Sequence, residues 1–159
     1  MSHGRHHRAA KPDGSTPDGA LVAAYLDAGD RGDWVRLSEH LAPDVVTHSP
    51  GDITETGVEH QIGSWAAAHR GLDGLHHEIV DIVTSDGFVA ARIRVTGTHT
   101  GLFLGVETTG RNIAVDQALF VRVAGQRIAE LWEVVDTGSG LRQLGLIGDQ
   151  RLGPHPDDP

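Results

Sequence analysis

The stretch from Ile113 to Asp136 constrains the fold more than any other part of the chain, because apolar and polar residues alternate through it in two runs. The two runs meet at the short connection Ala124-Gly125-Gln126. Such alternation is typical of strands, whose successive side chains point to opposite faces of a sheet. The stretch therefore predicts an antiparallel β-hairpin.

The register of this hairpin decides which residues share a face. A three-residue connection predicts three cross-strand pairs: Val123 with Arg127, Leu119 with Leu131, and Gln117 with Glu133. A two-residue loop at Ala124-Gly125 would instead flip the second strand, exposing Glu133 and turning Trp132 inward. We favour the three-residue connection because it gives the cleaner apolar face, made of the odd-numbered positions of both strands.

Glu133 stands out on that face, which runs over the odd positions from Ile113 to Val123 and from Ala129 to Val135 and has Gln117 as its only other polar residue. Burying an unpaired carboxylate is costly, so a carboxylate in this position is either structurally paired or kept for chemistry. Desolvation by Leu119, Leu131 and Val135 would raise the pKa of Glu133 toward the range that a general acid or base requires. The alternative is a structural carboxylate that is hydrogen-bonded to Gln117.

Length and composition indicate one globular domain, since 159 residues with 38% hydrophobic content suffice for a single core. The absence of cysteine excludes disulfides, thiolate metal sites and cysteine nucleophiles. No apolar run is long enough to span a membrane, and the polar N-terminal stretch does not resemble a signal peptide, so a cytoplasmic protein is expected. A net charge of -9, with scattered basic residues, argues against nucleic acid as a partner.

The N-terminal half carries helical signals. Residues 1–16 lack apolar periodicity and predict a disordered tail, and residues 147–159 predict a polar C-terminal tail, which leaves a domain over residues 17–146. Helices are predicted from Pro17 to Gly29, from Asp33 to Leu41, and from Gly57 to Arg70. A short extended segment, residues 44–49, separates the second helix from the third.

The C-terminal half changes to a period of two. Strands are predicted over His76–Thr84 and Phe88–His99, followed by a loop over residues 100–112 and then the hairpin. Three helices followed by four strands, mostly joined as hairpins, predict an α+β domain in which the helices pack on one face of a curved antiparallel sheet.

Four segments resemble the SnoaL-like polyketide cyclases, which share a cone-shaped α+β fold with ketosteroid isomerase and nuclear transport factor two. These segments are AAYLDAGD, LAPDVVTHSP, GTHTGLFLGVETTGR and VAGQRIAELWEVVDTGSGLRQLG. The resemblance implies a cavity between sheet and helices, no metal or organic cofactor, and a carboxylate acid/base on the last long strand. Glu133 matches that carboxylate, which is an aspartate in polyketide cyclases. Leu119 stands where some of them carry a histidine, and Tyr25 matches an aromatic pocket residue.

Two histidines join Glu133 as candidate catalytic groups. His48 lies in the segment that lines the pocket in the resembled family, and it is predicted to act as a second acid/base or a substrate donor. His99 ends an apolar strand face, where it either polarises a carbonyl or stabilises the following loop by a hydrogen bond. The candidate substrate-binding residues are Tyr25, Trp65, Gln117 and Leu119. Although the chain has 11 histidines, no ligand spacing such as HExxH is present, so no metal site is expected.

The sequence thus predicts a cofactor-free enzyme of secondary metabolism that acts on a bulky, apolar, polyketide-like carbonyl compound. Glu133 would move a proton in an enolisation that leads to ring closure or isomerisation. Two alternatives remain open: an epoxide hydrolase or hydratase, and a non-catalytic small-molecule-binding domain. A homodimer is also expected, formed through the even-numbered face of the hairpin, where Phe120, Trp132 and Val134 alternate with charged residues.

Overall fold

The computed structural model describes residues 16–103 and 105–148. Within these residues the helices are α1 (Pro17–Asp30), α2 (Trp34–Glu39), α3 (Val58–Gly71) and α4 (Thr137–Gln143). The strands are β1 (Leu41–Ser49), β2 (Ile53–Thr56), β3 (Leu72–Ser85), β4 (Phe88–His99), β5 (Asn112–Ala124) and β6 (Arg127–Val135). The predicted terminal tails fall almost entirely outside the described residues.

The helix starts follow from local capping. Thr16 caps α1 by accepting a hydrogen bond from the Gly19 amide at 3.1 Å, and Pro17 occupies the first turn, where its missing N–H costs nothing. Asp33 caps α2 in the same way through the Arg36 amide. The three N-terminal helices begin within a residue or two of the predicted positions, but α2 ends at Glu39, two residues before Leu41.

Six strands form one curved, open sheet in the order β2-β1-β6-β5-β4-β3, with the helices on one face. The prediction of four strands was incomplete, because the segment after α2 is a nine-residue strand rather than a short extended piece. This strand, β1, pairs parallel to β6, whereas the other neighbouring strands are antiparallel. Pro43 lacks an amide hydrogen and lies where the β1–β6 register shifts, between Leu41 and Val46.

The predicted register of the β5–β6 hairpin was wrong in its pairs but right in its faces. Gly125 and Gln126 both have positive φ, at 57° and 63°, and form a two-residue turn that pairs Ala124 with Arg127. A register shift beside Arg122 then inserts one extra residue into β6. Beyond this bulge, odd-numbered residues of β5 again pair with odd-numbered residues of β6, as in the predicted hairpin. As a result Leu119 faces Glu133, and Gln117 faces Val135.

The core lies between the odd-numbered face of the sheet and helices α1 and α3. The strand residues at its centre are fully or almost fully buried: Val89, Ala91, Ile93, Leu119, Val121 and Leu131. The helices contribute Val22, Tyr25, Leu26 and Trp65 from the opposite side. The alternation that predicted an apolar odd face is therefore confirmed, and the same face forms the floor of a cavity.

Candidate functional site

A cavity of about 530 Å³ opens between the sheet and the helices. Its wall is mostly aliphatic and aromatic, with contributions from Leu72, Val95, Phe103, Ile113, Val115 and Leu119. Besides Trp65, nine polar side chains interrupt this wall: Tyr25, Ser49, Gln61, Ser64, His77, Gln117, Glu133, Asp136 and Thr137. An apolar cavity with a few convergent polar groups is typical of sites that bind small organic molecules.

Glu133 is one of two acidic residues that line this cavity, and the other, Asp136, is exposed. β6 carries Glu133 on the cavity face, where it is half-buried and keeps its remaining accessibility through the cavity. Burial raises the pKa of its carboxyl above the ordinary value, while the side chains of Gln61 and Ser49, within hydrogen-bonding reach, and the charge of His77 act in the opposite direction. Because desolvation is the largest effect, Glu133 is poised to gain and lose a proton at a higher pH than an ordinary glutamate.

Tyr25 lies on α1 with only 1% of its surface exposed. Its hydroxyl accepts a hydrogen bond from Trp65 Nε1 at 2.9 Å and another from the Gln61 amide. Burial and then the charge of Glu133 raise the pKa of Tyr25, so the phenol stays neutral. Because two donors already point at this oxygen, the phenolic proton is left for an acceptor elsewhere.

The orientation of Gln61 is fixed by its second contact. Thr47, on β1, donates its hydroxyl proton to Gln61 Oε1 at 2.8 Å, so the amide NH₂ group must face Tyr25. Gln61 and Thr47 are both almost completely buried. The amide thus links Tyr25 to the surroundings of Glu133, a connection that the sequence did not indicate.

A second titratable pair borders the cavity. Asp30, the last residue of α1, accepts a hydrogen bond from the His77 backbone amide at 2.8 Å and contacts His77 Nδ1 at 2.6 Å. The His77 ring lies 4.8 Å from the Trp65 ring and lines the cavity. Sequence analysis missed this pair because its members are 47 positions apart and neither position has a recognisable spacing.

The structure places the remaining predicted substrate-binding residues, Trp65, Gln117 and Leu119, in the cavity wall. Gln117 is not the cross-strand neighbour of Glu133, so the expected pairing between them is wrong. The side chains that lower the pKa of Glu133 by hydrogen bonding are Gln61 and Ser49 instead.

His48 does not reach the cavity, so the prediction that it lines the pocket is wrong. Its neighbour Ser49 lines the cavity, and side chains alternate along β1, so His48 points to the other face of the sheet. There its Nε2 contacts Glu130 at 2.8 Å and its ring stacks on Trp132 at 5.1 Å. His48 therefore belongs to the even-numbered face.

His99 is completely buried at the end of β4 and is not among the cavity-lining residues. Its Nδ1 contacts the Thr109 hydroxyl at 3.0 Å and the Thr109 amide at 3.2 Å, which ties down the loop between β4 and β5. Its Nε2 has no hydrogen-bond partner among the described residues. Of the two roles considered for His99, the geometry favours the stabilisation of this loop.

Two kinds of site are not found in the part of the chain that the structure describes. Residues 16–103 and 105–148 contain no group of three His, Asp or Glu side chains arranged to hold a metal ion. Within the same ranges, no helix has the length and apolar character needed to cross a bilayer.

Comparisons with solved structures show related proteins with the same fold. IdmH of Streptomyces antibioticus, provisionally assigned as a polyketide cyclase, is 31% identical over 80% of this chain and 98% of its own, with a TM-score of 0.74. AclR of Streptomyces galilaeus, provisionally assigned as a hydroxylase, is 27% identical over 83% of this chain and 87% of its own, with a TM-score of 0.74. A SnoaL-like protein of Jannaschia shares the fold at 19% identity, covering 83% of this chain and 94% of its own, with a TM-score of 0.75.

No curated protein sequence matches the chain. The family model for SnoaL-like polyketide cyclases matches residues 19–144, which include all six strands, α2, α3 and α4, and all but the first two residues of α1. The chain therefore belongs to the SnoaL-like polyketide cyclase family.

Proposed function

We propose that this protein is a cofactor-free enzyme that transfers a proton on a bulky, largely apolar carbonyl compound, leading to ring closure or isomerisation. The observation that carries the proposal is the position of Glu133. Its carboxyl lies in an apolar cavity that is large enough for a small organic molecule, and burial raises its pKa. A carboxylate in such surroundings is a stronger base than one in water, and its pKa lies closer to the operating pH.

In the proposed reaction the ionised Glu133 removes a proton from the carbon next to the substrate carbonyl. The electrons of the broken C–H bond move into the carbonyl group and form an enolate, and Glu133 becomes neutral. The phenolic proton of Tyr25 is suited to the enolate oxygen, because the Tyr25 oxygen already accepts two hydrogen bonds and its raised pKa keeps the proton in place. Glu133 then returns the proton at another carbon, or the enolate closes a ring.

The relatives support the general class of substrate. IdmH is provisionally assigned as a polyketide cyclase, and its assigned class of substrate, a polyketide, fits the mainly apolar cavity found here. AclR is provisionally assigned as a hydroxylase, so this fold also accompanies other chemistry. A non-catalytic binding domain would keep the cavity but would have no need for an ionisable Glu133.

Deuterium exchange tests the proposal without knowledge of the natural substrate. β-Tetralone, a bicyclic ketone with enolisable protons, is incubated with the protein in heavy water, and loss of its α-proton signals is followed by NMR. The wild type should accelerate exchange, and Glu133→Gln should slow the catalysed rate by about 10²- to 10⁴-fold while the protein stays folded. Exchange should persist after dialysis against a chelator.

Glu59→Gln is the matched control, because Glu59 is an exposed glutamate in the first turn of α3, outside the cavity. This variant should exchange β-tetralone at the wild-type rate. Near-wild-type exchange by a folded Glu133→Gln protein would refute the role of Glu133. Wild-type protein that binds the ketone, as measured by quenching of tryptophan fluorescence, but does not accelerate exchange would favour the binding domain.

A further inference from the structure

His77 and Asp30 form a buried pair at the edge of the cavity. Their side chains are only 10% and 11% exposed. Asp30 uses both carboxylate oxygens on the same residue: Oδ2 accepts from the His77 backbone amide at 2.8 Å, and Oδ1 faces Nδ1 at 2.6 Å. The ring of His77 is therefore held at two points and has a defined orientation.

The proton arrangement of this pair follows from its hydrogen bonds. An ionised carboxylate can only accept, so Nδ1 of His77 must carry the proton that it shares with Asp30. In the neutral imidazole the lone pair then lies on Nε2, and in the imidazolium Nε2 carries a second proton.

His77 Nε2 has access to the cavity. No described residue forms a hydrogen bond with it. It is also not an inaccessible atom, because among the described residues the one completely buried side-chain nitrogen or oxygen without a partner is His99 Nε2. His77 lines the cavity, and because Asp30 engages Nδ1, Nε2 is the ring nitrogen left for a bound molecule. The charge of His77 also influences the pKa of Glu133, so the two groups lie within electrostatic range of each other.

We infer that His77 is a second acid–base group of this cavity and that Asp30 positions it. This inference rests on the proposed function and extends it. In the ring-closing course of the proposed function, Glu133 removes the carbon-bound proton and the resulting enolate carbon attacks a second carbonyl carbon of the same molecule. A carbon–carbon bond forms, the C=O π bond breaks, and the new alkoxide takes the Nε2 proton of the His77 imidazolium. No atoms are lost, and Glu133 and His77 recover their protonation states through solvent.

A purely structural role for the pair explains less of the geometry. The backbone amide of His77 alone would suffice to fasten β3 to the end of α1. The adjacent His76 also contacts Asp30, at 3.2 Å, but its side chain is 65% exposed. His76 therefore offers a matched histidine that shares the carboxylate and does not line the cavity.

Affinity labelling tests this inference independently of turnover. Bromomethyl naphthyl ketone is an apolar reagent of suitable size, whose methylene carbon bonds to an imidazole nitrogen as bromide leaves. Peptide mass mapping should show an adduct on His77, and excess methyl naphthyl ketone, which lacks the bromine, should suppress it. Labelling of His76 should be insensitive to that competitor, and His77 labelling should persist in Glu133→Gln and in His76→Gln.

Asp30→Asn tests the positioning role. The fixed backbone N–H of His77 requires the asparagine oxygen, so the asparagine NH₂ must face Nδ1 and shift the proton to Nε2, which removes the reactive lone pair. Labelling of His77 should slow by about 10-fold or more in a variant that melts normally. A wild-type His77 that stays unmodified, or is labelled regardless of competitor or of Asp30→Asn, would overturn the inference. Glu133-dependent exchange of β-tetralone would still stand in that case, so the two failures are distinguishable.

Discussion

Leu119 on β5 is the direct cross-strand neighbour of Glu133 on β6, and both side chains line the cavity. Leu119 is only 1% exposed, so it presents aliphatic surface, and not water, to the carboxylate. A charged group in that position loses hydration that its few polar neighbours only partly replace. This relationship links the chemistry of Glu133 to the stability of the fold.

The first prediction is a pH dependence of stability that Glu133→Gln removes. The raised pKa means that folded Glu133 binds its proton at pH values where the unfolded chain, with an ordinary value of 4.5, has released it. In that pH window the folded state binds more protons than the unfolded chain. The stability that proton binding at Glu133 contributes is therefore complete below the pKa of Glu133 in the unfolded chain, and it is lost as pH rises through the pKa of Glu133 in the folded protein.

The glutamine variant should therefore be more stable than the wild type at neutral pH, and the difference should shrink toward about pH 4. Urea unfolding of both proteins across this pH range measures the difference in their free energies of unfolding. The other titrating groups are common to the two proteins, so their contributions cancel in that difference. Stability differences that do not change with pH would contradict the burial of the charge.

The second prediction concerns Tyr25→Phe. Removal of the hydroxyl leaves the buried donors of Trp65 and Gln61 without their acceptor, and a buried polar group left unpaired costs about 1–3 kcal/mol. The variant should unfold at lower urea concentration and exchange β-tetralone more slowly. A double-mutant cycle with Trp65→Phe gives the strength of the Tyr25–Trp65 bond; purely additive losses would show that the bond contributes nothing.

The third prediction is that Gly29→Ala destabilises the protein, although glycine to alanine in a helix normally stabilises it. A Cβ at Gly29 would clash with the Trp65 ring, so the indole in the cavity wall would have to move, at a typical overpacking cost of about 1–3 kcal/mol. Gly63→Ala is the control, because nothing lies within 4 Å of its Cβ position on α3 and a gain of up to about 1 kcal/mol is expected. Equal effects of the two substitutions on melting temperature would contradict the close packing.

The parts of the fold that were predictable from the sequence are those with a local signal. Helical spacing marked α1 and α3, Asp33 marked the start of α2 as its cap, and alternation marked β4 and the hairpin. β1 lacked such a signal, since Pro43 interrupts it and it pairs in parallel with β6, more than 80 positions away along the chain at His48 and Trp132. The hairpin register was also out of reach, because a short turn and a bulge compensated for each other.

The same distinction applies to the site. Glu133 was recognisable because a charge interrupts an apolar stripe, which needs only one strand to be seen. His77 and Asp30 meet only after α1 packs against β3, and Gln61 reaches Tyr25 from another helix. Such contacts leave no periodicity in the sequence. For His48, a shift of one position along β1 decides whether the side chain faces the cavity or the opposite face of the sheet. No pattern in the sequence of β1 showed which of its positions face the cavity.

The last prediction is a homodimer formed through the face of the sheet opposite the helices. Phe88 lies 6.3 Å from both Phe120 and Trp132, and Arg122 lies over the Phe88 and Trp132 rings, so the aromatic residues form one surface cluster. Val134 beside them is 59% exposed. An aromatic surface with an interspersed arginine matches the composition of protein interfaces.

Size-exclusion chromatography with light scattering should give twice the monomer mass at micromolar concentration. Val134→Glu should shift the protein toward the monomer, because the new carboxylate would be desolvated at the interface. Val35→Glu is the control, since Val35 is 71% exposed on α2, an element on the helical side of the sheet. A wild type that remains monomeric, or equal dissociation by both substitutions, would exclude this face as the dimer interface.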